Sequence, residues 1–192
     1  MSPVVDGTLL HVYDLVAGYD RPVVGPLSFS VARGEVLGLW GANGAGKSTL
    51  LHAIADGARC FQGRIERAPG LRLAYQEQQP TRLQALPLTG NELLRIAGAA
   101  QQDLPASLAA TVGKRIDRLS GGQYQLLRVW AALAGGADLL LLDEPTNNLD
   151  PTHEGLLADM LRTRSADCAV LLVSHERAFI DATCSRVLEL GR

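Results

Sequence analysis

Four consecutive leucines, Leu139–Leu142, are the feature that most constrains the fold of this 192-residue chain. A strand with one face in water alternates apolar and polar residues, whereas a strand covered on both faces does not. The uninterrupted run therefore predicts a central strand of a parallel sheet. Ala169–Val173 is equally apolar and predicts a second strand of this kind. Because helical patterns separate the apolar runs, we predict an α/β protein with a mostly parallel sheet flanked by helices.

The remaining apolar runs and helical patterns complete the predicted element order. Strands are predicted at Leu9–Tyr13, Leu27–Val31, Val36–Trp40, Leu71–Tyr75, Leu139–Leu142, Ala169–Val173 and Arg186–Leu190. Helices are predicted after Gly46 and over Asn91–Ala100, Gly122–Ala134 and Thr152–Arg164. The stretch 76–118 is rich in Gln, Ala and Pro and is predicted to be a mostly helical insertion into the α/β core.

Composition and charge exclude several classes of protein. Eighteen Lys and Arg against 20 Asp and Glu give a net charge of -2, which is unlike a domain that binds nucleic acid through a basic surface. No window approaches the roughly 18 apolar residues that span a bilayer, and the N-terminus has no secretory pattern. Cys60, Cys168 and Cys184 form no metal or disulfide pattern and are predicted to be small buried side chains. We therefore expect a soluble, cytosolic protein.

Residues 41–48 read Gly-Ala-Asn-Gly-Ala-Gly-Lys-Ser, between an apolar strand and a helical pattern. Glycines let such a loop curl so that its N–H groups and the following helix N-terminus face an anion. In this pattern the Lys47 ammonium bridges the β- and γ-phosphates of a nucleotide, and the Ser48 hydroxyl binds Mg²⁺. The predicted nucleotide-binding residues are Gly41, Asn43, Gly44, Ala45, Gly46, Lys47, Ser48 and Thr49.

Two acids, Asp143 and Glu144, follow the leucine run directly. The carboxyl end of a central strand opens into the crevice where α/β sheets bind ligands. Asp143 is predicted to hold Mg²⁺ opposite Ser48. Glu144 is predicted to face the γ-phosphate as the base that polarises an attacking water.

Residues 119–123 read Leu-Ser-Gly-Gly-Gln, a string that resembles the signature of ATP-binding cassette (ABC) ATPases. Its Ser hydroxyl, glycine N–H groups and helix N-terminus form a second anion site, which one nucleotide on one chain does not need. The resemblance implies a head-to-tail dimer in which Ser120, Gly121, Gly122 and Gln123 close on the ATP of the partner. It also implies a P-loop NTPase core (1–75 and 135–192), an antiparallel N-terminal β region and a short helical signature subdomain (about 79–134).

Further positions extend the resemblance over nearly the whole chain. Tyr19 is similar to the aromatic residue that stacks on adenine in this family. Residues 148–150 resemble the D-loop, which brings Asp150 to the dimer interface. His175 resembles the switch histidine that contacts the γ-phosphate. Gln78 is the expected Q-loop residue, acting in catalysis and on the metal, with Gln76 as the reserve.

Two functions remain open at this point. The stretch Leu86–Thr89, after the Q-loop, is similar to the zinc and manganese importer branch, which implies a polytopic permease, a separate substrate-binding protein and a place on the cytoplasmic face of the membrane. The segments 145–150 and 175–181 also resemble the translation-associated ABC-F group. Those proteins generally carry two cassettes and a charged linker, whereas this chain has one cassette and a slight acidic balance. Transport, with a metal ion as cargo, is the first hypothesis, and action on the ribosome is the alternative.

Overall fold

A computed structural model describes residues 7–78, 87–99, 104–147, 149–164 and 168–191. The strands are β1 (Thr8–Gly18), β2 (Pro22–Ala32), β3 (Val36–Gly41), β4 (Arg59–Arg67), β5 (Leu73–Gln76), β6 (Leu139–Asp143), β7 (Ala169–Val173) and β8 (Arg186–Leu190). The α-helices are α1 (Lys47–Ile54), α2 (Gly90–Ile96), α3 (Ala106–Val112), α4 (Gly121–Ala134), α5 (Pro151–Arg164) and α6 (Arg177–Thr183), with a 3₁₀ turn at Ile116–Arg118.

The predicted parallel sheet has the strand order β5-β6-β7-β3-β8. The leucine run forms β6, which pairs in parallel with β5 on one side and β7 on the other. Every residue of β6 and β7 is buried, as their apolar sequences predict. The carboxyl ends of these strands therefore meet at one edge, where Asp143 at the end of β6 and Glu144 after it face the loop after β3.

Each face of this sheet has its own cover, which explains why its strands show no polar alternation. Leu139 and Leu141 of β6 pack with α1 and the N-terminal strands. Leu140 and Leu142 pack on the opposite face against α4, α5 and Phe179 of α6. The α/β prediction with a parallel sheet flanked by helices is confirmed.

A second, antiparallel sheet has the order β2-β1-β4. It confirms the antiparallel N-terminal β region, with strands longer than the predicted ones at Leu9–Tyr13 and Leu27–Val31. Strand β4 was not predicted because most of its side chains are exposed. Pairing with β1, from Leu10 opposite Arg67 to Gly18 opposite Arg59, defines this strand instead.

Short helices occupy the described parts of the predicted insertion. Helix α2 ends at Ile96, short of the predicted end at residue 100, because the Ala99 N–H donates to the Leu94 carbonyl at 2.9 Å and closes the last turn. Helix α6, which lies outside the insertion, was not predicted.

The division of the chain into an ATP-binding core and a helical signature subdomain stays a prediction.

Two further expectations from composition have an outcome here. Cys168 is buried and Cys184 half-buried, but Cys60 is exposed, so the prediction of a buried side chain is wrong for Cys60. That residue lies on β4, whose outer position in the antiparallel sheet leaves it open to water. No helix among the described residues is long and apolar enough to cross a membrane.

Helix α2 begins with a capping box whose contribution to stability depends on pH. The Glu92 carboxylate accepts hydrogen bonds from the Thr89 N–H (2.7 Å) and hydroxyl (2.8 Å). The backbone bond, and then the hydroxyl bond, lower the pKa of Glu92 below its ordinary value of 4.5. A lowered carboxyl pKa stabilises the fold above the ordinary pKa, and that stability is lost as pH falls through the lowered value.

Glu92→Gln is therefore expected to remove part of the acid sensitivity of the fold while keeping the capping geometry. Urea unfolding midpoints between pH 6 and pH 3 measure this. The midpoint of the wild type should fall further on acidification than that of Glu92→Gln. Identical pH profiles would show that the capping carboxylate does not contribute.

Candidate active site

The loop between β3 and α1 is shaped so that only glycine fits at its end. Gly46 caps α1 with a left-handed backbone, at φ 87°. A Cβ atom there would lie 2.7 Å from the Val24 Cβ atom on β2. The chain thus passes directly from loop to helix, and the free N–H groups of the first turn of α1 face the cleft.

The Lys47 ammonium bends back over this loop. Its Nζ donates to the carbonyl oxygens of Gly41 at 2.7 Å and Ala42 at 3.0 Å, and the residue is only 7% exposed. The carbonyl oxygens are neutral acceptors, so they can be exchanged for anionic phosphate oxygens, which attract the ammonium more strongly. The loop therefore positions the Lys47 ammonium where it can bind a phosphate group.

Asp143, at the end of β6, faces the start of α1. The residue is 5% exposed, and its Oδ1 has no hydrogen-bond partner in the described part of the chain. Burial raises the pKa of Asp143, and a hydrogen bond with Ser48 acts in the opposite direction. A buried, unpartnered carboxylate oxygen beside a hydroxyl is a donor set that suits a hard divalent cation such as Mg²⁺. These residues fit the predicted metal.

Glu144 and His175 are brought together from two neighbouring strands. The Glu144 Oε2 atom accepts the backbone N–H of His175 at 3.0 Å and lies 2.7 Å from its Nδ1. The Glu144 N–H donates to the Val173 carbonyl at 2.9 Å. Glu144 has φ 49°, a positive value that costs a non-glycine residue about 1–3 kcal/mol. The strained backbone aims the carboxylate at His175 and into the cleft.

A cleft of about 520 Å³ opens above the carboxyl ends of the parallel strands. It is lined by Val23, Asn43, Gly44, Gly46, Lys47, Ser48, Thr49, Gln78, Glu144, Asn147 and His175. Nine of these eleven residues were predicted from the sequence as site residues. Asn147 could have been found from its position one turn after Glu144, to whose carbonyl its N–H donates at 3.2 Å. Val23 comes from β2, and nothing in its local sequence indicates that it lines the cleft.

Ser120–Gln123 is not part of this lining and forms the start of α4 instead. The Ser120 Oγ accepts the Gln123 N–H, and the Gln123 side chain accepts the Ser120 N–H, each at 3.2 Å. Gly122 packs under the His153 ring, where a Cβ atom would approach within 3.1 Å. The predicted second anion site is thus a preformed helix N-terminus set apart from the cleft of its own chain.

A sequence model described as ABC transporter matches residues 24–147. The chain belongs to the ABC transporter family. It is 36% identical to the zinc import ATP-binding protein ZnuC of Roseobacter denitrificans, over 89% of this chain and 70% of that protein. The ZnuC of Paracoccus denitrificans is also 36% identical, over 100% of this chain and 77% of that protein. A solved ATP-binding subunit of an ABC transporter has a TM-score of 0.78 and 28% identity, over 95% of this chain and 86% of that one.

As a member of the ABC transporter family, the chain is an ATP-binding ATPase subunit. The two candidates for its Q-loop glutamine, Gln78 and Gln76, differ in position. Gln78 lines the cleft. Gln76 is buried, and its Nε2 donates to the Arg128 carbonyl of α4 at 2.7 Å. The geometry favours Gln78 as the Q-loop residue. Gln76 instead links β5 to α4 through its hydrogen bond.

Tyr19 and Asp150, two other positions of the ABC family pattern, lie outside the cleft lining. Tyr19 is 48% exposed in the turn between β1 and β2, and its hydroxyl bonds the Nδ1 of His52, a residue that the sequence did not single out. Asp150 caps α5, since its Oδ1 accepts the His153 N–H at 2.9 Å and its Oδ2 lies 2.8 Å from the His153 Nδ1. Asn148, also predicted in the D-loop, lies outside the described residues.

Proposed function

We propose that this chain is the ATP-hydrolysing subunit of a zinc importer. The ATPase part of the proposal rests on one observation: Lys47, Glu144 and His175 all line the same cleft, above the carboxyl ends of the parallel strands. The cargo is supported by relatives named as zinc import proteins, which are 36% identical to this chain. These relatives give the ribosome alternative no support.

In the proposed reaction the loop and Lys47 hold the triphosphate. Lys47 exchanges the Gly41 and Ala42 carbonyls for the β- and γ-phosphate oxygens, and the N–H groups at the start of α1 bind the same anion. Thr49 and Asn43, which line the cleft, add polar contacts at its wall. Positioning and charge neutralisation are the main sources of catalysis in phosphoryl transfer.

Glu144 acts on the attacking water in this proposal. Its carboxylate accepts a proton as the water oxygen bonds to the γ-phosphorus and the bond between that phosphorus and the bridging oxygen of ADP breaks. His175 fixes the carboxylate through its backbone N–H and ring Nδ1, and it turns its other ring nitrogen toward the phosphate. Mg²⁺ would be held by Ser48, Asp143 and Gln78, and when bound it supplies charge neutralisation.

A second subunit completes the site in this proposal. The signature start, Ser120–Gln123, does not line the cleft of its own chain, and a head-to-tail copy would bring it against the partner's ATP. Asp150, which fixes the start of α5, would then lie at the same interface. A polytopic permease, with a separate substrate-binding protein outside, would place the dimer on the cytoplasmic face of the membrane.

Ser120→Arg is expected to abolish ATP-dependent dimerisation, because the long side chain would occupy the place of the partner's phosphate. Light scattering of the hydrolysis-deficient Glu144→Gln protein, with and without Ser120→Arg, measures the mass in ATP. Ser120→Ala is the matched control, since it loses the helix cap, at about 1 kcal/mol, but adds no bulk. A dimer that persists in Ser120→Arg would contradict the head-to-tail arrangement.

Co-purification tests the transporter part of the proposal. Tagged Glu144→Gln, expressed in the source organism and trapped with ATP and Mg²⁺, should retain a polytopic membrane protein. Lys47→Ala, treated in the same way, controls for capture that does not depend on nucleotide. Recovery of ribosomes in place of a membrane protein would contradict the transporter function.

A further inference from the structure

His52 connects two aromatic side chains beside the nucleotide cleft. Its Nδ1 bonds the Tyr19 hydroxyl, and the two ring centroids are 6.0 Å apart at an angle of 79°. On its other side the imidazole meets the Tyr75 ring edge to face, with centroids 5.4 Å apart at 84°. The His52 side chain thus contacts Tyr19 from the β1–β2 turn and Tyr75 from β5.

The backbone that carries His52 is fixed. Helix α1 begins at Lys47 in the phosphate-binding loop, and its Leu50 and Leu51 are fully buried. The His52 carbonyl accepts the Gly57 N–H at 2.7 Å, which closes the end of the helix. The imidazole is therefore held at a set distance from the loop that binds the phosphates.

Tyr19, by contrast, is exposed, and its hydroxyl contacts His52. The turn that carries it is tight, since a Cβ atom at Gly18 would lie 2.0 Å from the Arg21 carbonyl oxygen. Tyr19 is 48% exposed, so packing alone would leave its side chain room to change rotamer. The imidazole Nδ1 can accept a hydrogen bond from the phenol or, in the other tautomer, donate one to the phenol oxygen, so the contact forms with either tautomer.

We infer that His52 is a positioning residue for the nucleotide base: it holds the Tyr19 ring in the orientation that stacks on adenine. This inference rests on the proposed binding of ATP and on the contact with adenine that the family resemblance implies for Tyr19. An aromatic ring that is fixed before binding loses less conformational entropy when the base stacks on it. The smaller entropy loss makes binding of the nucleotide tighter. Tyr19 and His52 do not line the cleft that would hold the phosphates, so phosphate binding is expected to be independent of His52.

The test compares ATP with inorganic tripolyphosphate, which has no base, by calorimetric titration. Tyr19→Phe and His52→Leu should each raise the Kd for ATP by about threefold to tenfold, the range of one hydrogen bond. The double variant should lose no more than either single variant, because both remove the same bond. Affinity for tripolyphosphate should not change, and His52→Asn, which keeps a polar atom near the Nδ1 position, should recover ATP affinity.

Three controls separate failure of this inference from failure of the proposed function. Tyr19→Ala removes stacking itself and should raise the Kd for ATP by about tenfold or more. His11→Leu, which removes a histidine stacked on Tyr13 in the antiparallel sheet, should change neither affinity. Lys47→Ala should weaken both ATP and tripolyphosphate.

Unchanged ATP affinity in His52→Leu, with a loss in Tyr19→Ala, would overturn the positioning role and leave base stacking intact. Equal losses for ATP and tripolyphosphate in His52→Leu would also overturn it, because they would indicate damage to α1. Unchanged ATP affinity in Tyr19→Ala would overturn the contact between Tyr19 and adenine, and the inference with it, but would leave the proposed ATPase function standing.

Discussion

Replacing Glu144 with glutamine is expected to lower ATP turnover by about 10²- to 10⁴-fold, the range that a positioned general base contributes. The amide keeps the size of the side chain but cannot take the proton of the attacking water. ATP binding should persist, since Lys47 and the loop N–H groups are untouched. Phosphate release from the purified protein measures turnover, and calorimetry measures ATP affinity.

The matched control is Glu66→Gln. Glu66 lies on the antiparallel sheet, where it pairs with Arg64 at 2.7 Å and does not line the cleft. Turnover in this variant should equal that of the wild type. Full turnover in Glu144→Gln would exclude Glu144 as the base and would leave the strained backbone at φ 49° without a catalytic explanation.

Lys47→Ala is expected to raise the Kd for ATP by about tenfold to several hundredfold. Each hydrogen bond to a charged group contributes about 1.5–3 kcal/mol, and the alanine removes the ammonium that would bond the phosphates. The nucleotide-free fold should change little, because within the described residues the lysine bonds only to two loop carbonyls. Calorimetric titration with ATP in the presence of Mg²⁺ measures the effect.

The chain provides an unusually clean control, since Lys47 and Lys114 are its only lysines. Lys114 is exposed just before the 3₁₀ turn, and it does not line the cleft. Lys114→Ala should therefore bind ATP like the wild type. Equal affinity in Lys47→Ala and Lys114→Ala would rule out the phosphate-binding role of the loop cation.

The parallel sheet could be predicted because burial on both faces leaves a direct mark in the sequence. Leu139–Leu142 and Ala169–Val173 have no polar positions, and both strands are fully buried. Strand β4 leaves no such mark: Arg59–Arg67 carries four charged residues and exposes most of its side chains. Its pairing with β1 supplies backbone hydrogen bonds that do not depend on side-chain type.

The candidate site likewise contains residues that the sequence predicts and residues that it does not. Lys47, Ser48, Asp143 and Glu144 could be placed because their chemistry depends on short spacings within one loop or strand end. Residues that belong to no recognisable motif could not be placed, and Val23 on the cleft wall is the clearest case. His52 is another, since its role becomes visible only when α1 brings it against Tyr19.

Zinc uptake into proteoliposomes tests the central claim most directly. The vesicles would contain this chain with its co-purified permease, enclose ATP and Mg²⁺, have the substrate-binding protein on their outside, and report internal zinc with a fluorescent indicator. The proposed function predicts zinc accumulation that requires ATP and is lost with Glu144→Gln. ATP hydrolysis at the wild-type rate with no zinc entering the vesicles would contradict it.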